Sequence, residues 1–147
     1  MSATTDWQLR VMTLADHDEV IALWRVTEGI GLTVSDDREA IGAYLARNPG
    51  MSFVAVAGDR IVGAVLGGHD GRRGYLHHLA VTPAWRHRGI GRALVEAVLA
   101  ELKAAGMLKC NLFLYEHNET GRTFWLKHGW AAREDIVLVQ KTLSATS

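Results

Sequence analysis

Two glycines and three arginines lie close together in the run Arg86-His87-Arg88-Gly89-Ile90-Gly91-Arg92. The run stands between a strand-like segment, Tyr75 to Val81, and the start of a long amphipathic pattern. Glycine lets the backbone turn tightly and approach an anion closely, and the first turn of a helix offers unpaired N–H groups at the positive end of its dipole. Arginine adds forked donors that suit phosphate oxygens. The run therefore predicts a site that binds a diphosphate.

Three other interpretations share parts of this pattern. A Walker loop needs Gly-x-x-x-x-Gly-Lys-Ser/Thr, which the sequence lacks. The dinucleotide fingerprint Gly-x-Gly-x-x-Gly fails because Leu94 stands where its third glycine should be. It also expects an acidic residue about 20 positions later, where this chain reads Cys110-Asn111-Leu112. The third interpretation, a glycine-rich turn that only starts a helix and carries surface arginines, stays open from the run alone.

Composition limits the class of protein. The chain has 147 residues, of which 48% are hydrophobic and 22% charged, which predicts one domain over 1–147 with a core at about 7–143. Sixteen basic and sixteen acidic residues cancel, which argues against a general nucleic-acid or membrane binder and favours a small anionic ligand at the arginine-rich turn. A single cysteine, the absence of a signal-peptide pattern and the absence of a long apolar run predict a cytoplasmic protein. Four histidines lie far apart without metal-ligand spacing, so no metal site is expected; they are His17, His69, His117 and His128.

The hydropathy pattern predicts the elements that position this turn. Strands are predicted at 7–12, 52–57, 61–68, 75–81, 109–115 and 134–143, and helices at 14–26, 36–48, 90–106 and 118–128. The order βααβββαβαβ indicates an α/β fold in which helices cover both faces of a mixed sheet. A helix connects the fourth and fifth strands, which predicts that they are parallel. The charged start of the second helix, 36–39, is expected to be solvated.

Two ordered motifs are similar to those of the GNAT superfamily of acyl-CoA-dependent N-acetyltransferases. The first is Arg/Gln-x-x-Gly-x-Gly/Ala after a strand that often ends in Leu-x-Val, and it is matched by Arg86 to Gly91 and by Leu79-Ala80-Val81. The second is an asparagine, an aromatic residue seven positions later and then a Gly-aromatic pair, matched by Asn118, Trp125, Gly129 and Trp130. The resemblance runs from about Trp7 to Leu143.

The resemblance implies a fold, a reaction and a set of binding residues. In the GNAT fold the fourth and fifth strands splay apart, and the pantetheine arm of acetyl-CoA lies between them. The expected reaction moves acetyl from acetyl-CoA, the cosubstrate, to a primary amine by direct attack without a covalent intermediate. The acceptor is then a small-molecule or peptide amine, and homodimers are common among relatives. The implied cofactor-binding residues are Leu79, Ala80, Val81, Arg86, His87, Arg88, Gly89, Ile90, Gly91, Arg92, Asn118 and Trp125.

His77 is the candidate base for this reaction. It stands two residues before Leu79 on the strand that, by the resemblance, borders the thioester, and the unperturbed pKa of histidine is about 6.5. In the arylalkylamine branch of the family, a histidine at the matching place before Leu-Ala-Val serves as the base. Strand alternation predicts that His78 projects to the opposite face, so that both side chains cannot reach one amine. Packing under the sheet remains open for either histidine, and water could carry the proton instead.

The sequence does not identify the general acid. Many family members have a tyrosine seven residues after the asparagine, but this chain has Trp125, whose indole N–H does not ionise. Tyr115, at the end of the predicted fifth strand, is the substitute candidate, and solvent is the other because a free thiol has a pKa of about 8.5. The tryptophan also motivates an alternative function, an acyl-CoA-binding or sensor module on the same fold that has weak or no catalysis.

Overall fold

A five-stranded mixed sheet forms the centre of the fold in the computed structural model, which describes residues 6–144. The spatial order follows the chain, β1-β2-β3-β4-β5, and every pair is antiparallel except β4 with β5. The predicted mixed sheet and the parallel pairing across the helical crossover are both confirmed. The strands are β1 (Gln8–Val11), β2 (Phe53–Ala57), β3 (Arg60–His69), β4 (Gly74–Val81) and β5 (Cys110–Asn111).

Helices cover the two faces of this sheet. They are α1 (His17–Arg25), α2 (Arg38–Arg47), α3 (Ile90–Ala104) and α4 (Glu119–Lys127). Trp24 of α1 and Ile41 of α2 belong to one buried cluster, whereas Leu94 of α3 and Trp125 of α4 belong to another. The apolar stripes of the helices therefore build one core layer on each side of the sheet. Among the helices of residues 6–144, none combines the length and hydropathy of a membrane-spanning segment.

The parallel pair β4–β5 is short and then opens. Its pairing covers only Gly74 with Cys110 and Tyr75 with Asn111. β4 continues to Val81, but β5 ends at Asn111, although the pattern predicted a strand through Tyr115. Beyond Tyr75, the described chain places no strand beside β4 on its β5 side. The two strands separate here, as expected of a splayed pair, and the separation is the reason why β5 is shorter than predicted.

A β-bulge lies in β4, which the alternation pattern did not predict. Leu66 of β3 faces His77, and Ala64 faces Ala80, so that two residue steps of β3 oppose three of β4. His78 is the extra residue of this bulge. Its φ of 56° lies in the left-handed region that non-glycine residues seldom adopt. The expected alternation of His77 and His78 is therefore wrong. Both rings lie on the α1–α2 side of the sheet, with their centroids 6.4 Å apart.

The predicted sixth strand, 134–143, is absent from the described structure. No strand follows β5 within residues 6–144, and the apolar side chains of this segment are exposed. The alternating pattern suits a strand, but strand structure requires a neighbouring backbone to accept and donate hydrogen bonds. This segment has no such neighbour within residues 6–144, so the last β of the predicted order is not formed.

Candidate functional site

The turn before α3 presents a row of free backbone donors. His87 has a φ of 64° and Gly89, the N-cap of α3, has a φ of 82°. Among residues 6–144, the N–H groups from His87 to Arg92 donate to no backbone or side-chain acceptor. Left-handed positions interleaved with a helix start turn successive N–H groups toward one concave surface, which is the geometry of an anion site.

Each arginine of the turn is held by a different neighbour. Arg86 Nε donates to the carbonyl oxygen of Val81 at 3.0 Å, and Arg92 Nε donates to Glu96 Oε1 at 2.9 Å. The Arg88 guanidinium lies 4.4 Å from the ring centroid of Trp85, a cation–π contact. Arg88 Nη1 also lies 3.9 Å from Asp6 Oδ2, and both side chains are about half exposed or more, so this ion pair is a weak surface contact. The sequence analysis did not identify Trp85 as part of the site. Its position three residues before Arg88 could have suggested that the two side chains are neighbours.

A cleft extends from the turn between α3 and α4. It has a volume of about 410 Å³ and is lined by Arg92, Val95, Glu96, Leu99, Phe124, Lys127, His128 and Trp130. Phe124 stacks on the His128 ring with centroids 4.3 Å apart, which gives the cleft a flat aromatic wall. The volume falls within the range of small-molecule pockets. A flat heterocycle joined to the diphosphate would fit beside this wall.

The opening between β4 and β5 lies next to the turn. Leu79 and Val81 of β4 and Leu112 and Leu114 after β5 are partly buried against the α3–α4 core. The β4 backbone from Leu76 to Val81 has β3 on one side and no strand on the other within the described residues. Part of its backbone donors and acceptors therefore face the opening, where an extended chain bearing amides could pair with them.

His78 is tied to a buried carboxylate. Its Nε2 donates to Asp36 Oδ1 at 2.9 Å, and the backbone N–H of Thr33 donates to the other carboxylate oxygen at 3.1 Å. Burial would raise the pKa of Asp36, but the hydrogen bonds from His78 and Thr33 outweigh burial and hold it below its usual value. The expectation of a solvated helix start was wrong for Asp36, which is 7% exposed. Asp37 caps α2 instead by accepting from the N–H of Ala40.

His77 has a different environment from its neighbour. Its ring lies parallel to Tyr75 and near parallel to Phe113, with centroids 6.2 and 6.1 Å away, and edge-on to Tyr44. Burial lowers its pKa, and His78 lowers it further, although Asp36 opposes both. Neither ring nitrogen has a hydrogen-bond partner within residues 6–144. His77 therefore carries a neutral ring with a free lone pair at neutral pH, which are the properties of a proton acceptor.

Tyr44 and Phe113 join His77 in an aromatic cluster that the sequence did not reveal. Tyr44 comes from α2 and has a buried hydroxyl without a hydrogen-bond partner in the described chain. Burial raises its pKa to about 12, so the hydroxyl stays protonated. Phe113 is 57% exposed at the opening between the strands. These residues lie 33 and 36 positions from His77 in sequence, so that local spacing could not associate them.

The other predicted site residues lie around α4. Asn118 caps α4 by accepting from the N–H of Gly121 at 2.9 Å. Tyr115 is half exposed, stacks on His117 and places its hydroxyl against Gly31 in the loop after α1. Trp125 is 8% exposed and packs edge-on against Phe124 and Trp130. Of these, Trp125 serves mainly as core, and Tyr115 has no described contact with His77.

Two further observations restrict the chemistry. Burial raises the pKa of the Cys110 thiol to about 11, so this cysteine is a protonated thiol and a poor nucleophile. In the part of the chain that is described, no three or more His, Cys, Asp or Glu side chains cluster closely enough to hold a metal ion.

Comparison with known proteins identifies the family. The sequence profile described as the Acetyltransferase (GNAT) family matches residues 14–130. An acetyltransferase of Sodalis glossinidius is 31% identical over 136 residues, which cover 92% of this chain and 95% of that relative.

Solved structures share the fold at lower identity. Ard1 from Thermoplasma volcanium superposes with a TM-score of 0.76 at 20% identity, covering 86% of this chain and 84% of its own. The PaiA N-acetyltransferase from Thermoplasma acidophilum, solved in complex with coenzyme A, gives a TM-score of 0.74 at 18% identity, covering 88% of this chain and 92% of its own.

Proposed function

The chain belongs to the GNAT family of acetyltransferases, and from that premise we propose that it transfers acetyl from acetyl-CoA to a primary amine by direct attack. The observation that carries the proposal is the unpartnered row of N–H groups from His87 to Arg92, which opens beside the gap between β4 and β5. A ligand that joins a diphosphate to a long amide-bearing arm and a thioester matches both features. Coenzyme A in the PaiA structure supports this choice of ligand.

The residues of this chain fit coenzyme A in three segments. The backbone from Arg86 to Gly91 would hold the diphosphate, with Arg86, Arg88 and Arg92 supplying positive charge. The backbone of Leu79 and Val81 would pair with the amides of the pantetheine arm. The cleft beside Phe124 would take the adenosine group, and Asn118 and Trp125 would border the arm at the start and on the inner side of α4.

Acetyl-CoA supplies an activated thioester. The protein therefore has to position the acceptor amine, accept its proton and allow the departing thiolate to be protonated. His77 would accept the proton of the amine as the amine attacks, because its ring is neutral and its nitrogens are free. Asp36 would hold the orientation of His78 beside it, at 2.9 Å. Cys110 takes no part, since its thiol is protonated. The departing thiolate takes its proton from solvent or from Tyr115, and the reaction proceeds without a covalent enzyme intermediate.

A second function has one observation in its favour. Trp125 stands at the position where many family members have an ionisable tyrosine, and it is buried in the α3–α4 core. An acyl-CoA-binding or sensor module would keep the diphosphate site and need no acid. Thiol release, measured with a thiol-reactive dye across a wide panel of primary amines, separates the two functions. Turnover with any amine supports the transferase, whereas coenzyme A binding without turnover supports the sensor.

The Arg88→Glu variant tests the diphosphate site within the same assay. Losing a charge-assisted contact and adding a negative charge should raise the KM for acetyl-CoA about 10-fold to 100-fold, since such hydrogen bonds contribute about 1.5–3 kcal/mol. Arg60→Glu makes the same charge change at an exposed position of the β2–β3 hairpin and should leave this KM unaltered. Equal KM values for Arg88→Glu and the native protein would count against the site.

A further inference from the structure

Three rings with nearly parallel planes lie where the pairing of β4 with β5 ends. The centroids of Tyr75, His77 and Phe113 are 6.1 to 6.2 Å apart in every pairing, and their planes differ by 3° to 25°. We call these three residues the aromatic platform. Tyr44 of α2 meets His77 edge-on, with centroids 6.2 Å apart and 76° between the planes, so it forms a wall beside the platform.

The aromatic platform is open to a ligand. Phe113 is 57% exposed, and Tyr75 and His77 are partly exposed. The last pair of the β4–β5 ladder joins Tyr75 to Asn111, so Phe113 lies beyond the end of β5, in the opening between the strands. Aromatic side chains that line an opening are typical of small-molecule sites. The platform is therefore accessible to a molecule that reaches His77.

The buried charges argue against an acceptor with several positive groups. Two carboxylates of the described chain are buried, Asp16 and Asp36, and both have partners. Asp16 accepts from Arg10 at 2.8 Å, and Asp36 accepts from His78 at 2.9 Å and from the N–H of Thr33. In the described chain, no buried carboxylate is left to bind a second ammonium group. A polyamine or an aminosugar would therefore gain no buried counter-charge for its further amines.

The polar groups beside the platform are uncharged at neutral pH. Burial lowers the pKa of His77, so its ring is neutral. Burial also raises the pKa of the Tyr44 hydroxyl to about 12 and that of the nearby Cys110 thiol to about 11, so both stay protonated. Such surroundings suit an uncharged, apolar group of the acceptor.

We propose that the acceptor is a primary amine that carries a flat aromatic ring, which stacks on the aromatic platform while the amino group lies at His77. This inference rests on the proposed acetyl transfer and adds the class of acceptor. Because His77 belongs to the platform, a ring that stacks on Tyr75 or Phe113 keeps its own amino group close to the base. The amine nitrogen bonds to the acetyl carbon as the carbon–sulfur bond breaks. His77 takes one proton of the amine, and coenzyme A leaves as the thiolate.

Two matched amines separate ring stacking from hydrophobic burial. Phenethylamine and cyclohexylethylamine have the same carbon skeleton and linker, but only the first has a flat aromatic ring. The kcat/KM for phenethylamine should be higher by about 2-fold to 12-fold, which is the range that aromatic pairing contributes beyond burial. Spermidine, a polyamine without a ring, should have a lower kcat/KM than either. The measurement is thiol release at saturating acetyl-CoA.

The Phe113→Leu variant tests the platform itself. Leucine keeps an apolar side chain but removes the flat ring, so the KM for phenethylamine should rise by about 2-fold to 12-fold while that for cyclohexylethylamine stays nearly unchanged. Phe113 is 57% exposed, so the fold should be preserved, which circular dichroism checks. Phe53→Leu makes the same change on β2, in the α3–α4 core, and should leave the ratio of the two KM values unaltered. Equal effects of Phe113→Leu on the two amines would contradict stacking.

The amine panel distinguishes failure of this inference from failure of the proposed function. If spermidine or cyclohexylethylamine is turned over as efficiently as phenethylamine, the aromatic acceptor is refuted and the transferase stands. If no amine is turned over, titration calorimetry of phenethylamine into the protein loaded with coenzyme A decides. Binding that Phe113→Leu weakens would keep the aromatic ligand, as that of a sensor, whereas absence of binding would refute the aromatic ligand as well.

Discussion

The adjacent residues His77 and His78 of β4 have different surroundings and therefore different chemical properties. His78 is bonded to the buried carboxylate of Asp36, so one of its nitrogens is committed. His77 has no hydrogen-bond partner within residues 6–144, and its pKa is lowered mainly by burial. The bulge turns both rings toward α1 and α2, so they form one polar site beside an aromatic cluster. In the proposed mechanism the two histidines have separate roles: His77 would accept the proton, and His78 would stay bonded to Asp36.

The pH dependence of catalysis tests the role of His77. Protonation removes the lone pair, so kcat should fall as the pH drops through the pKa of His77, which lies below the ordinary value of about 6.5. His77→Ala should lower kcat by about 100-fold or more and abolish this acidic limb. The measurement is kcat from pH 5 to 8 at saturating acetyl-CoA.

His69→Ala serves as the control for this experiment, because His69 lies at the end of β3 beside the β3–β4 turn. It should keep the native pH profile. A His77→Ala enzyme with an unaltered acidic limb would exclude His77 as the base and leave the proton to water.

At the scale of elements, α3 connects the proposed anion site to the core. Its apolar stripe is buried, with Leu94 and Val98 fully covered, while its first turn keeps free N–H groups. Glycine stands at both ends of this helix, with φ of 82° at Gly89 and 88° at Gly106, and neither has an atom within 4 Å of where a Cβ would lie. Both positions therefore require a left-handed backbone conformation, but only Gly89 borders the proposed diphosphate site.

This symmetry allows a matched pair of variants. Gly89→Ala and Gly106→Ala should each destabilise the protein by about 1–2 kcal/mol, because an L-residue is strained in the left-handed region. Such losses correspond to a fall of about 3–6 °C in Tm. Only Gly89→Ala should also raise the KM for acetyl-CoA, since relaxing its φ would reorient the donors of the turn. Equal KM values for the two variants would show that the turn does not bind the diphosphate.

At the scale of the whole molecule, a chain with zero formal net charge concentrates cationic side chains beside an opening in its sheet. The proposed ligand has to span both, with its diphosphate at the turn before α3 and its arm between β4 and β5.

Thermal stability tests whether the diphosphate of the ligand binds at the turn while its arm binds between β4 and β5. A ligand at about 100 times its Kd stabilises the native state by about 2.7 kcal/mol, which should raise Tm by about 5–10 °C. Coenzyme A should produce such a shift, whereas pantetheine, which lacks the diphosphate, should produce a much smaller one at the same concentration. Equal shifts would place the main binding energy in the opening and not at the turn.

Local patterns in the sequence were enough to predict most of the elements. The glycines and arginines at 86–92 predicted a helix start, and α3 begins at Ile90. Asn118 was expected to cap the next helix, and its side chain accepts from the N–H of Gly121. The parallel order of β4 and β5 followed from the helix between them. These features depend on residues within a few turns of one another, so one-dimensional spacing contains the necessary information.

Only the tertiary structure decided how those elements meet. The bulge at His78 arises from the register of β4 against β3, and the bond from His78 to Asp36 joins residues 42 positions apart. The short β5 and the missing sixth strand have the same cause, because a strand exists only where another backbone lies alongside it. By itself, the sequence determined the order of the elements from β1 to α4 and the start of α3. Which residues surround His77, and which edges stay open, depended on contacts between distant segments that no local pattern specifies.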